Sequence, residues 1–235
     1  MRLSLPALFF VLSGFVALPA KTINFSGDNF SITIPDTWTT SQAEGRLLLA
    51  TDANHTAMAD LISLPNSDNA SVSNPIFIKG IKHGMQVTAQ KQGVTMQFSS
   101  EGPVTLGGVS AYYLRGAADA PDTGPYYLRC YTWAGNAKLY TLTLQSNDKA
   151  ADATLQGIAE SLAYQSLPAQ PGASQLDADK LGYLQSPPAQ PDLGVPDAYQ
   201  FGYRCGRIIG AVIAVLVFFL IIKRLLFRSP PPPPG

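Results

Sequence analysis

Charge, histidine and cysteine are all scarce in this chain. Only 14% of the residues are charged, well under the roughly 25% of an ordinary soluble domain. Two histidines and two cysteines leave little from which to build a zinc site. Two cysteines also cannot staple a disulfide-dense mini-domain. A net charge of zero gives no general attraction to nucleic acid. The sequence contains no Gly-x-Ser-x-Gly elbow and no phosphate-cradling glycine loop, so the commonest hydrolase and nucleotide signatures are missing. What is present is apolar. Of 235 residues, 46% are hydrophobic, enough for a packed core.

The zero charge is a sum of unequal parts. Residues 21–166 carry 9 basic and 12 acidic side chains, whereas Arg204, Arg207, Lys223, Arg224 and Arg228 follow residue 200 with no acid among them. The basic groups bracket one greasy run. Ile208 to Ile222 is 15 residues without a polar side chain, and Leu225 to Phe227 extend it toward the ~20 residues that cross a bilayer. Lys223 and Arg224 would then snorkel to the headgroups. The chain start, with Arg2, an apolar stretch from Leu3 to Val16 and Ala17-Leu18-Pro19-Ala20, reads as a secretory signal peptide. Cleavage after Ala20 and retention as a signal anchor both put residues 21–200 outside. The sequence thus predicts a single-pass membrane protein, with its main domain extracytoplasmic and its carboxyl end cytoplasmic.

Five segments follow. Residues 1–20 are the signal, 21–166 the folded domain, 167–200 a Pro-rich spacer holding that domain off the membrane, 201–227 the transmembrane helix with its flanks, and 228–235 a Pro-rich cytoplasmic tail. Gly202, Gly206, Gly210 and Ala214 recur every four residues. On a helix that spacing lines up one face of small residues, a surface suited to close helix association in lipid and to homo-oligomers.

In the folded domain, Phe30, Ile32 and Ile34 alternate with polar residues, which argues a strand with one buried face. Gly27-Asp28 before them signals a hairpin. Asn74-Pro75 is a helix start, with the asparagine as cap and the proline at the first helical position. Later strands are expected around residues 94–99, 104–106, 110–115, 126–133 and 138–145. A turn at Gly135-Asn136 would pair Tyr131 with Tyr140 and Arg129 with Leu142. Ala151, Leu155, Ile158 and Leu162 form one stripe of a closing helix. Strands, a helix, more strands and a helix make an α+β fold, an antiparallel sheet with packed helices in an α/β/α sandwich, plus the carboxyl-terminal transmembrane helix.

Candidate chemistry is thin. His55 and His83 lack a second ligand at metal spacing. Cys130 has no neighbouring base and reads as a buried thiol. Whether it pairs with Cys205 is open from sequence alone. Tyr113, Arg115, Tyr127, Arg129, Tyr131 and Trp133 are the one suggestive cluster, a set of aromatic and arginine anchors for a protein partner if their sheet face is open. No cofactor and no metal is expected.

The run Phe30-x-Ile32-x-x-Pro35-x-x-Trp38, the hairpin Leu106-Gly107-Gly108-Val109-Ser110-Ala111-Tyr112, and a closing helix with Ile158 and Ser161 resemble PsbP-like and DcrB-like domains over residues 22–166. The resemblance implies protein binding without a shared catalytic centre, so it carries over no functional residue. The resemblance to envelope proteins implies a bacterial inner (cytoplasmic) membrane, and the expectation is therefore a membrane-tethered extracytoplasmic module for protein binding or assembly, not an enzyme. The alternative is an envelope carrier of a small ligand, or an enzyme, with a pocket between sheet and helices.

Overall fold

A computed structural model describes residues 19–41, 46–66, 70–120, 124–166 and 197–226, with the side chains of Ala120, Gly124, Val212 and 214–226 outside the description. Residues 1–18 of the signal segment, 167–196 of the spacer and the cytoplasmic tail lie outside the described residues.

Chain entry is a hairpin. β1 (Ala20–Phe25) and β2 (Phe30–Pro35) pair antiparallel. Asn29 takes a positive φ of 63° at their turn, a conformation Asn tolerates. β10 (Ala163–Tyr164) adds to β2 and completes a three-stranded sheet. The main sheet has seven strands. In chain order these are β3 (Thr39–Ser41), β4 (Arg46–Thr51), β5 (Ala57–Pro65), β6 (Thr95–Leu106), β7 (Val109–Ala120), β8 (Gly124–Gly135) and β9 (Lys138–Ser146). Their spatial order is β3-β4-β5-β9-β8-β7-β6. One edge is therefore β3, three exposed residues long. The other is β6, which carries a bulge between Phe98 and Ser100 and Pro103 within the strand.

Helix α1 (Pro75–Lys91) starts as the sequence predicts. The Asn74 side-chain oxygen accepts from the Ile76 amide at 2.9 Å and from the Phe77 amide at 3.4 Å. A 3-10 turn at Lys149–Ala151 leads into α2 (Asp152–Glu160). The last helix, α3, runs unbroken from Asp197 to Leu226.

Alternation sends the two faces of the main sheet into two cores. On one face Leu61, Trp133, Tyr140, Leu142 and Leu144 pack under the small sheet's Phe30, Ile32 and Ile34 and under Leu155, Ile158 and Leu162 of α2 and the turn after it. On the other face Leu114, Leu128, Cys130 and Leu139 pack under Phe77, Ile81 and Met85 of α1 and Cys205, Ile209 and Ile213 of α3. The outer layers are unequal: two helices on one side, a helix and a small sheet on the other.

Two expectations are corrected. The turn between β8 and β9 is made by Asn136 and Ala137, both at positive φ, and not by Gly135-Asn136. Tyr131 consequently faces Leu142, and Trp133 faces Tyr140. The deciding forces are tertiary. Trp133 stacks on Tyr140 at 5.4 Å, and Asp28 accepts from Lys138 at 2.5 Å and from the Tyr140 hydroxyl at 2.8 Å. The second correction concerns α3. It begins at Asp197, inside the segment assigned to a spacer, and its first half is domain core. Tyr199, Cys205, Ile209 and Ile213 are all buried. Cys130 and Cys205 are buried in the same core with no disulfide between them.

The small-residue stripe meets a helix of its own chain. Gly202, Gly206 and Gly210 lie against the backbone of α1 at Phe77, Ile81 and Met85, while Gly80 and Gly84 on α1 meet the backbone of α3 at Gly202 and Gly206. A methyl group added at Gly84 would stand 2.7 Å from the Arg207 amide nitrogen. The side chain of Ala214 lies outside the described residues. Among the described residues no helix is long and apolar enough to cross a membrane.

Candidate functional site

Most of the main sheet is covered on both faces, but one corner is not. There β6, β7 and β8 lie beside α2 and leave a cleft of about 410 Å³. Tyr113, Arg115, Arg129 and Tyr131 form its floor, Val104 to Gly107 one wall, and Gln156 and Glu160 of α2 the other. The floor residues share a face because Tyr113 pairs with Tyr131 and Arg115 with Arg129 across β7 and β8. The two tyrosine rings lie 6.4 Å apart, within the range of favourable aromatic pairs.

The two arginines differ in duty. Arg129 is only 12% exposed and grips both carboxylate oxygens of Asp152, each at 2.7 Å. This fork-on-fork contact pins the first residue of α2 to the sheet. Its hydrogen bond to Arg129 holds the Asp152 carboxyl below the ordinary range, and the same bond pushes the Arg129 guanidinium up. Arg115 is 45% exposed and makes one contact with Asp152, at 3.0 Å through a single nitrogen. A guanidinium has five N–H donors, and the Asp152 contact engages one nitrogen of Arg115, which lines the cleft. At the other end of α2, Gln156 donates to Glu160 at 2.6 Å. The cleft thus carries a positive end at Arg115 and a negative end at Glu160, over an aromatic floor.

Of the six residues singled out from sequence, Tyr113, Arg115, Arg129 and Tyr131 come together here. Trp133 does not. It is fully buried, edge-on to Phe30, and donates its ring N–H to the Tyr164 hydroxyl at 2.8 Å. Tyr127 lies on the same strand face but outside the cleft. Sequence reasoning missed Val104–Gly107, Gln156 and Glu160. The spacing of Asp152, Gln156 and Glu160 at every fourth position marks one face of α2, a signal that was available.

Neither histidine lines the cleft. His83 shares a 2.5 Å hydrogen bond between Nδ1 and the Tyr199 hydroxyl, which links α1 to α3, and burial lowers its affinity for a proton. His55 sits at positive φ in the turn between β4 and β5. Burial pushes the Cys130 thiol up to about 11, which disfavours the nucleophilic thiolate. Among the described residues no group of three His, Cys, Asp or Glu is placed to hold a metal ion.

The sequence matches no family model and no curated protein. Solved structures do resemble it. The solution structure of the cyanobacterial PsbP protein CyanoP from Synechocystis sp. PCC 6803 matches with a TM-score of 0.53 at 13% identity, over 64% of this chain and 95% of that one. The Ran-binding protein MOG1P of Saccharomyces cerevisiae matches at 0.44 with 8% identity, over 63% and 96%. LpqN, involved in cell envelope biogenesis of Mycobacterium tuberculosis, matches at 0.35 with 15% identity, over 62% and 84%. The chain therefore has a PsbP-like fold. At such identities the likeness is one of fold, and function has to come from the cleft.

Proposed function

We propose that this protein is a non-catalytic accessory module, tethered to a bacterial inner membrane by α3, that binds an envelope protein on the extracytoplasmic side through the cleft. The supporting observation is the gathering of Tyr113, Tyr131 and a partly exposed Arg115 in one open concavity. Tyrosine and arginine are the residue types that anchor protein interfaces. The charge at each end orients a partner more than it adds affinity. The tether rests on the sequence alone: the greasy run Ile208–Ile222, flanked by basic residues and preceded by a signal-like amino terminus. The alternative is a small-ligand carrier, for which a 410 Å³ cleft falls within the usual volume range.

A photo-crosslinking residue at Tyr113, in cells expressing the full chain, tests the reading. The expected result is a discrete protein adduct that weakens at least tenfold in the Arg115→Ala background. A probe at Tyr113 that captures nothing, while metabolites raise the melting temperature of the purified chain, would replace it with the carrier.

A further inference from the structure

We propose that the domain is seated directly on the bilayer, with the end of the sheet around Lys91 to Gly93 in the lipid headgroup layer. This inference rests on α3 being the membrane tether and concerns how that tether is built.

The reasoning starts from the register of the two helices. Gly202 lies on Phe77, Gly206 on Ile81 and Gly210 on Met85. Each step of four residues along α3 is matched by four along α1, so the helices run parallel and level. The same step carried onward sets Lys91, the last residue of α1, level with Leu216. Only Val217 to Leu226 remain of the helix beyond that point, which is ~15 Å at 1.5 Å per residue. The hydrocarbon of a bilayer is ~30 Å thick. A helix this short has no length to spare for a gap between domain and lipid. The bilayer must rise to meet the last turn of α1 and thin around the helix; at fractions of a kcal/mol per ångström, the ~15 Å shortfall costs several kcal/mol. Withdrawing α3 to gain length would strip Ile209 and Ile213 from the core and open Phe77, Ile81 and Met85 to water, which is the dearer choice.

The domain surface at that end suits headgroups and not hydrocarbon. Lys91, Gln92, Thr95 and Asp119 are exposed there, with Asn54 and Asp148 on neighbouring loops. The cleft lies toward the other end of the sheet, by the Gly107-Gly108 turn. Strands β6 and β7 pair from Thr95↔Asp119 to Leu106↔Val109, ~35 Å at strand rise. The cleft is therefore held off the membrane at a set height.

Fluorophores on three single-cysteine variants of the full chain, Q92C, N54C and T105C, would test this in phosphatidylcholine–phosphatidylglycerol vesicles doped with headgroup-spin-labelled lipid. The native cysteines are buried and leave the new thiol as the labelling site. Quenching several-fold stronger at residues 92 and 54 than at residue 105 is expected. Gly84→Leu, which pushes α3 off α1, should level the three while the chain stays with the vesicles. Equal quenching at all three sites of the unaltered helix pair, with the chain vesicle-bound, overturns the seat and leaves the tether standing. A chain that stays in the supernatant overturns the tether and the seat with it.

Discussion

Asp60 lies in the middle of β5, 1% exposed, with neither carboxylate oxygen hydrogen-bonded among the described residues. Arg46 approaches to 3.5 Å, yet desolvation outweighs that attraction and raises the carboxyl from 3.8 to about 6. The unfolded chain gives up this proton near pH 4 and the folded chain keeps it to about 6. Stability is therefore full below the lower value and falls as pH rises through that window, by roughly 3 kcal/mol in all. Urea titrations from pH 4 to 7.5 should show the decline, and Asp60→Asn should flatten it. A slope that persists in the variant would assign the effect to another group. Ala137 is a second site of tension. Its φ of 56° is costly for a side chain with a Cβ, so Ala137→Gly should raise stability by about 1 kcal/mol, read as a higher urea midpoint at unchanged slope. Residue patterns foretold neither feature. Gly135 beside Asn136 pointed to the turn one position early, because local turn preference carries no knowledge of the Trp133–Tyr140 stack or of Asp28 reaching across from the other sheet.

At the scale of elements, patterns with a strong local cause were legible and those with a distant cause were not. The start of α1 followed from Asn74-Pro75, and the stripe Leu155, Ile158 and Leu162 followed from its spacing. The sequence divided β6 into two pieces, because Gly102 and Pro103 look like a break. The pairing with β7 carries the strand through them. Half the cleft was legible as an alternation of aromatic and arginine residues on β7 and β8. The α2 wall was not, since its place over the sheet depends on the Arg129–Asp152 clamp. That clamp makes its own forecast. Arg129→Ala leaves Asp152 without its fork and should cost about 1–3 kcal/mol, with faster amide exchange across α2 than across α1. Uniform exchange in the variant would mean that the apolar stripe alone holds α2.

On the scale of the whole molecule, the largest surprise is that the core does not end at Ser166, where the residue pattern placed the end of the domain. A chain stopping at Ser166 would retain every strand but lose the cover over Phe77, Ile81, Met85 and Leu128. Three or more large apolar side chains brought to water amount to ~5 kcal/mol or more. Such a truncation should melt far below the full chain and bind a hydrophobic dye. A truncation as stable as the full chain would show the α1–α3 groove to be dispensable. The proposed tether would add a demand of its own, because molecules held in a plane collide often and in a repeated orientation. Strand β6 answers it. Its bend at Phe98 and Ser100 and the missing amide hydrogen of Pro103 deny an incoming backbone a continuous row of donors. Crowded copies can thus touch rim to rim without zipping into a ribbon.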